Sequence, residues 1–302
     1  MRKVLFITLS NIGDAVLTTP ALETLHQCFP KASIDLMADQ RSSLLFTHCP
    51  YRGRILHKHK KAGWRKLMGL IHQLRRTSYD LVVDLRTDGL AYLLRARKRL
   101  TKRGVRPVGP HAVEHHMAVV APLHPPLAPI PPCRIWLQAE QMQFAKTQLS
   151  PLPGRRWLAL GPGANWAPKI WPAPAFTALV NEVKHDFDGV VLVGGPQDRE
   201  RSQAVGASLP LPCVDLCGCT DLLQVAAILQ QVSVFVGNDS GLGHLAAAVG
   251  TPTLTLFGPG QPERYHPWGN HSAYVLAPNR QLDQLSAATV AHRLRQLLDR
   301  AQ

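Results

Sequence analysis

The chain repeats one pattern. A short apolar run rich in valine, leucine and isoleucine is followed by a longer stretch in which apolar residues recur every three or four positions. The short runs are KVLFITL (3–9), SIDLMA (33–38) and DLVVDLR (80–86), then WLALGP (157–162), GVVLVGG (189–195), VSVFVGN (232–238) and TPTLTLFG (251–258). Between them the spacing predicts helices over about 14–28, 62–76, 173–186, 221–231 and 283–300. Apolar runs without polar alternation are strands buried on both faces, and the helices supply the covers. The expectation is an α/β protein of doubly wound parallel sheets, with strand, helix, strand in each half.

At 302 residues the chain exceeds one typical core, which argues for two domains. APLHPPLAPIPP (121–132) breaks the pattern, because proline lacks an amide donor and fixes its own φ. A further helical pattern, RIWLQAEQMQFAKTQL (134–149), and then SPLPGRR (150–156) follow it. The boundary is placed near residue 150, giving a first domain over 1–150 that holds this helix and a second over 151–302. Ligands of such sheets sit at the carboxyl ends of the strands, so chemistry is sought in the loops just after them.

Composition narrows the class. No apolar run reaches the roughly 18 residues of a membrane span. The opening MRKVLFITLSNIGDAV is short, β-branched and soon met by Asp14, which reads as a first strand and not a signal peptide. A cytoplasmic protein is expected. Six cysteines without regular spacing read as reduced thiols. Charge says more: residues 1–150 hold 23 Lys and Arg against 9 Asp and Glu, while 151–302 hold 11 of each. Such a one-sided field draws an anion to the first half, whether nucleic acid, a phosphorylated substrate or an acidic membrane surface.

Four loops after strands carry candidate chemistry. In LSNIGDAVLTTPAL (9–22), Gly13 permits a tight turn and Asp14 falls in the first turn of the next helix. Asp14 is either a helix cap or a carboxylate that takes a proton from an acceptor hydroxyl, and the second role needs one oxygen free. The Gly-x-Gly-x-x-Gly spacing is absent after this strand, which speaks against a nicotinamide enzyme. GPGANWAPKIWP (161–172) delivers Lys169 from a turn of glycine, proline and tryptophan, as a solvated charge or as a fixed ammonium for a departing phosphate. VGGPQDRER (193–201) lets a ligand approach Gly194 and Gly195, with Asp198 or Glu200 to accept from sugar hydroxyls; a helix cap with surface charges fits equally. GNDSGLGHLAAAVGTP (237–252) turns through Asp239, Ser240 and Gly241 into a helix of small residues. Amides at a helix start attract anions, Gly241 and Gly243 clear the approach, Ser240 adds a hydroxyl, and His244 lies one turn on. Packing on a sheet explains Ala246, Ala247 and Ala248, but neither His244 nor the paired glycines.

Together and in this order, SNIGDAVLTTPAL, GPGANWAPKIWP and GNDSGLGHLAAAVGTPTLTLFGP resemble the ADP-heptose-dependent lipopolysaccharide heptosyltransferases, glycosyltransferase family nine. The last segment is the most specific, and the likeness spans both domains, loosest between about residues 50 and 150. The resemblance implies a GT-B fold, two Rossmann-like domains facing across a cleft, with acceptor mainly on the first and nucleotide sugar on the second. It implies inversion in one displacement, with neither metal nor other cofactor. Asp14 then stands as the catalytic carboxylate and Lys169 as the phosphate-binding lysine. Donor contacts fall on Asp239, Ser240 and Gly241, with His244 close by and the ribose contact near Asp198. Gly163 and Asn165 complete the donor set, Asn165 where the family often carries hydroxyls.

The implied partners are ADP-heptose, an anionic phosphorylated glycolipid and the cytoplasmic face of the inner membrane, with no specific nucleic acid. Arg95, Arg97, Lys98 and Arg99 are expected to meet the acceptor, being with Lys102 and Arg103 the densest part of the basic excess. Lys58, Lys60, Lys61, Arg65 and Lys66 form a second group. The resemblance leaves open a lipopolysaccharide core or a protein hydroxyl as acceptor. A non-catalytic nucleotide-sugar binder of the same fold is the alternative, against which the retained Asp14 and Lys169 argue.

Other clusters are discounted. Cys213, Cys217 and Cys219 lack the paired spacing of a zinc site, and His111, His115, His116 and His124 read as a polar loop or an aid to a phosphorylated acceptor. LLRARKRLTKRGVR (93–106) lacks the interleaved aromatics of a nucleic-acid patch.

Overall fold

The computed structural model describes residues 1–57, 63–86, 89–123 and 129–301, with backbone alone at Trp64, Lys66, Leu67 and Ala301. Lys58, Lys60, Lys61 and His124 lie outside the described residues, as does the side chain of Lys66. The chain divides into two compact units, Met1–Trp136 and Leu137–Gln302.

In the first unit β1 (Lys3–Ile7), α1 (Ile12–Val16), α2 (Thr19–Cys28), β2 (Ser33–Ala38), β3 (Arg52–His57), α3 (Trp64–Arg75), β4 (Tyr79–Asp84), β5 (Ala96–Thr101) and α4 (Ala112–Val120) follow in order. Its strands are parallel, in the order β3-β2-β1-β4-β5. The second unit runs α5 (Ala139–Leu149), β6 (Trp157–Gly161), α6 (Ala173–Val183), β7 (Gly189–Leu192), α7 (Arg199–Gly206), β8 (Cys213–Asp215), α8 (Leu222–Gln231) and β9 (Val234–Asn238). It continues with α9 (Gly241–Ala248), β10 (Thr253–Phe257), α10 (Pro262–Tyr265), β11 (Ser272–Leu276) and α11 (Ala287–Ala301). These strands are also parallel, in the order β11-β10-β9-β6-β7-β8. Counted from its own first strand, each sheet has the doubly wound order, which reverses between β1 and β4 and between β6 and β9. In sheets of this order ligands bind beyond the carboxyl ends of those strand pairs.

The central strands are the continuous apolar runs: Val4, Leu5, Phe6 and Ile7 of β1 are wholly buried, as are Val234, Phe235 and Val236 of β9. The helix expected over 14–28 is two. Thr18 and Thr19 turn their hydroxyls onto the Ala15 and Val16 carbonyls, and Pro20, lacking an amide, sits in the first turn of α2. Asp221 caps α8, its Oδ1 accepting from the Leu223 and Gln224 amides at 2.8 Å, a contact worth about 1 kcal/mol. His111 caps α4, its Nδ1 accepting from the Val113 amide while Glu114 accepts from the His111 amide. That accounts for the start of the histidine-rich stretch. All six cysteines are free, and burial pushes the Cys213 and Cys217 thiols up to about 12.

The boundary falls at residues 136 and 137, not near 150. Trp136 sits edge-on to Tyr51 with ring centroids 5.7 Å apart, which pins the end of the proline-rich segment to the first unit. The next helix, α5, packs on α8 and so belongs to the second unit. The charge imbalance survives this shift: Met1–Trp136 carries 22 basic and 8 acidic residues, the remainder 12 of each.

Inside the first sheet Asp35 of β2 is fully buried. It accepts from the Arg54 amide (2.9 Å), from Arg54 Nη2 (2.7 Å) and from the Tyr79 hydroxyl (3.1 Å). Burial pushes its carboxyl up, but the Arg54 and Tyr79 bonds outweigh this and hold it below the usual carboxylate range. This network fastens edge strand β3 to the sheet.

Candidate active site

In the second unit the loop after β6 is tied at both ends by one side chain. Asn238, the last residue of β9 and fully buried, donates from Nδ2 to the Pro162 carbonyl at 2.9 Å and accepts at Oδ1 from the Trp171 amide at 3.0 Å. Trp171, also fully buried, donates its indole N–H to the Leu285 carbonyl at 3.0 Å. Between these anchors Lys169 reaches Asp239, Nζ to Oδ2, at 2.5 Å. Their side chains are 25% and 10% exposed. Lys169 is therefore a fixed cation and not a solvated one.

Asp239 is enclosed on its other side by the loop after β10. A Cβ on Gly260 would lie 2.5 Å from its Oδ2, so only glycine fits. Arg280 holds that loop, donating from Nη1 to the Gly260 carbonyl at 2.7 Å. It does so from a left-handed backbone (φ 61°) next to Asn279 (φ 49°), a conformation costing about 1 kcal/mol or more per residue outside glycine. Ser240 precedes α9 without capping it, and its hydroxyl is buried with no hydrogen bond among the described residues. An unpaired buried hydroxyl costs about 1–3 kcal/mol, which an incoming oxygen anion would relieve. Gly241 opens the helix, and His244 is buried one turn on.

Asp198 closes its own turn. Its Oδ2 accepts from the Gly195 amide at 2.9 Å, while the buried Oδ1 takes no hydrogen bond among the described residues and has Arg201 at 3.6 Å. Gly163 lies against this carboxylate, where a Cβ would collide with Asp198; its task is to make room for that side chain. Asn165 is exposed beside the exposed Trp166. Lys169, Asp239, Ser240, Gly241 and Asp198 thus gather at one carboxyl edge, and Asn165 sits at the loop tip.

In the first unit Asp14 does not cap a helix. The N-cap of α1 is Asn11, which makes no capping bond and instead donates from Nδ2 to Asp14 Oδ2 at 2.9 Å. Asp14 Oδ1 takes no hydrogen bond among the described residues. Arg95 and Arg97, near the amino end of β5, do not join it. Ala96 pairs with Tyr79 at the amino end of β4, five strand steps or roughly 17 Å from Thr101 at the carboxyl end. Arg97 and Lys98 are exposed on this edge strand and, with Met1, Arg2 and Asp80, line an open hollow of about 570 Å³. Arg99 donates to the Ala91 and Leu94 carbonyls at 2.9 and 2.7 Å. Charges so placed keep a sheet edge from pairing with another chain. Among the described residues no group of three His, Cys, Asp or Glu side chains is placed to hold a metal, and no helix is long and apolar enough to cross a membrane.

The sequence reading passed over Asn238, Trp171, Gly260 and Arg280. Asn238 sits inside a quoted motif, and a polar residue ending a buried strand was the available signal; Arg280 left none.

Two doubly wound parallel sheets, with charged loops at their switch points, define a GT-B protein. The chain belongs to glycosyltransferase family 9 (heptosyltransferase), whose sequence model matches residues 89–294; Asp14 precedes the matched residues. It is 26% identical over 304 residues to lipopolysaccharide heptosyltransferase 3 of Escherichia coli K12, covering 89% of this chain and 86% of that one. To lipopolysaccharide heptosyltransferase 1 of Pseudomonas aeruginosa it is 29% identical over 296 residues, covering 86% and 79%. The solved structure of E. coli ADP-heptose lps heptosyltransferase II superposes with a TM-score of 0.81 at 25% identity, covering 98% of each chain.

Proposed function

We propose that the chain is an inverting, metal-independent transferase that moves heptose from ADP-heptose to an inner-core acceptor of lipopolysaccharide, as a peripheral protein on the cytoplasmic face of the inner membrane. The observation that carries this reading is the buried Ser240 hydroxyl at the start of α9, unbonded among the described residues and next in sequence to the Asp239 that fixes Lys169. The names of the relatives, lipopolysaccharide heptosyltransferases and an ADP-heptose enzyme, support the choice of donor and acceptor.

Asp14 takes the proton of the acceptor hydroxyl as that oxygen bonds to the anomeric carbon. The bond from this carbon to the diphosphate oxygen breaks on the opposite face, ADP leaves with the electron pair, and the centre inverts. Lys169, the Ser240 hydroxyl and the first amides of α9 meet the charge growing on the diphosphate. Asp198 Oδ1 accepts from a ribose hydroxyl. A thermal-shift series with ADP, UDP and GDP tests the donor: ADP should raise the midpoint most, since a ligand of the folded state adds its binding energy to stability. Equal shifts overturn the nucleotide assignment. Transfer from ADP-heptose should survive EDTA, and loss restored by a divalent ion would instead require a metal.

A further inference from the structure

The segment that follows β11, residues 277–285, braces the loops around Lys169 and Asp239 from one side. Its first amide, that of Ala277, donates to the Phe257 carbonyl at 2.8 Å. Its last carbonyl, that of Leu285, accepts from the buried Trp171 indole at the end of the loop that carries Lys169. Gly258, just past β10, fits between two carbonyls. A Cβ there would lie 3.2 Å from the Arg280 oxygen and 3.2 Å from that of Pro168, the residue before Lys169. Arg280 Nη1 donates to the Gly260 carbonyl at 2.7 Å, and Gly260 in turn backs Asp239, the partner of Lys169. Apart from glycines, Asn279 and Arg280 are the two described residues with positive φ, 49° and 61°. Asparagine enters this conformation readily; arginine does so at a cost.

We infer that Arg280 is a positioning residue of the transfer reaction: its guanidinium, aimed by a left-handed backbone, holds the loop after β10 against Asp239 and so fixes Lys169 in one orientation. The inference rests on the proposed reaction and names what keeps its leaving-group cation in place. An ion pair between two mobile side chains has many geometries. Here the Asp239 carboxylate, its side chain 10% exposed, has the Gly260 backbone behind Oδ2, and Lys169 takes the side that remains. Such presetting matters for a group that must meet charge as it develops. Stability alone gives little reason for an arginine at this position. Glycine would make the same turn without strain, so part of what the guanidinium bond contributes is lost to the backbone that aims it. Strain retained in this way, beside fixed charges at the carboxyl edge of a sheet, is the mark of a residue kept for geometry.

The test compares Arg280→Gly and Arg280→Lys with the unaltered full chain. Glycine accepts the left-handed turn and removes the guanidinium, whereas lysine keeps a donor on the same backbone. The first readout needs no substrate: acetylation of Lys169 by an N-hydroxysuccinimide ester, followed by peptide mass spectrometry. Arg280→Gly should speed it severalfold, because a loosened Asp239 frees the amine, while the exposed Lys31 and Lys184 react as before. The second readout is transfer from ADP-heptose. Arg280→Gly should lower kcat about tenfold or more, the scale of a small misplacement, with the donor KM little changed. Its thermal midpoint should hold or rise, since the strain is gone. Arg280→Lys should fall between the two chains in both readouts. In a Lys169→Ala background Arg280→Gly should lower kcat little further. Unchanged Lys169 acetylation, unchanged kcat, full additivity with Lys169→Ala, or a loss of kcat matched by a lowered midpoint overturns the role. A chain that transfers no heptose from ADP-heptose, yet acetylates faster at Lys169 when Arg280 is glycine, would remove the transfer reading and leave the hold of Arg280 on Lys169 standing.

Discussion

The carboxyl edges of the two sheets hold their cations in opposite ways. In the second unit Lys169 is held by an acid 70 residues away, and Asn238 ties a loop 67 to 76 residues distant in sequence. In the first unit the Arg41 guanidinium is held by an aspartate two residues earlier, Nε on Asp39 Oδ1 at 3.1 Å. A cation assembled over long range has one geometry, set by the packed sheet beneath it. A cation held by its own turn keeps its place with little help and can adapt. The proposed chemistry asks for the first kind beside the nucleotide, because charge developing on a leaving diphosphate is stabilised by donors fixed in advance.

The largest effect should come from the first unit's one proposed chemical group. Asp14→Asn is expected to lower turnover by about 10² to 10⁴, the span of general-base contributions, with ADP affinity unchanged. A folded variant with near-normal turnover would make Asp14 a structural residue only. Next is Lys169→Ala, expected to lower kcat by about 10², beyond any loss of donor affinity, as for removal of one preorganised donor. Equal donor binding and equal rate would remove Lys169 from the site.

Asn238→Ala sharpens the contrast in construction. It strips the loop of its anchors and should cost about 1–3 kcal/mol of stability, read by denaturant unfolding. It should also slow turnover, but add little further loss in a Lys169→Ala background, because both changes act through the same lysine. Full additivity in that cycle would make Asn238 a general stabiliser.

The smallest effect concerns Asp35, the long-range network within the first sheet. Its carboxyl is depressed in the folded chain, so the network contributes stability above the unfolded value near 3.9, and that contribution is lost as pH falls through the depressed value. Asp35→Asn should cost about 1–2 kcal/mol at neutral pH, and the gap in Tm should close on acidification below about pH 4. A gap that does not change with pH would assign the cost to packing.

By itself the sequence determined the central strands and the loops that follow them. A run such as KVLFI or VFVGN is continuously apolar because both faces of its strand are covered, and that signal is local. For the same reason Asp14, Lys169, Asp239 and Ser240 could be read as loop residues beyond buried strands. The strands that left no such signal, β3, β5, β8 and β11, are the edges of the two sheets. Their outer sides meet solvent, so polar residues such as those of RGRILH and ARKRLT interrupt the run. Strand order and register belong to the tertiary structure alone. They brought Asp239 to Lys169, set Asn238 across the loop after β6, and sent α5 to the second unit. They also decided which basic residues stand at the carboxyl edge of the first sheet. Arg95 and Arg97 are the denser cluster in sequence, yet a strand has two ends, and theirs is the amino end; Arg41 and Arg86 follow strands and so arrive at the carboxyl edge.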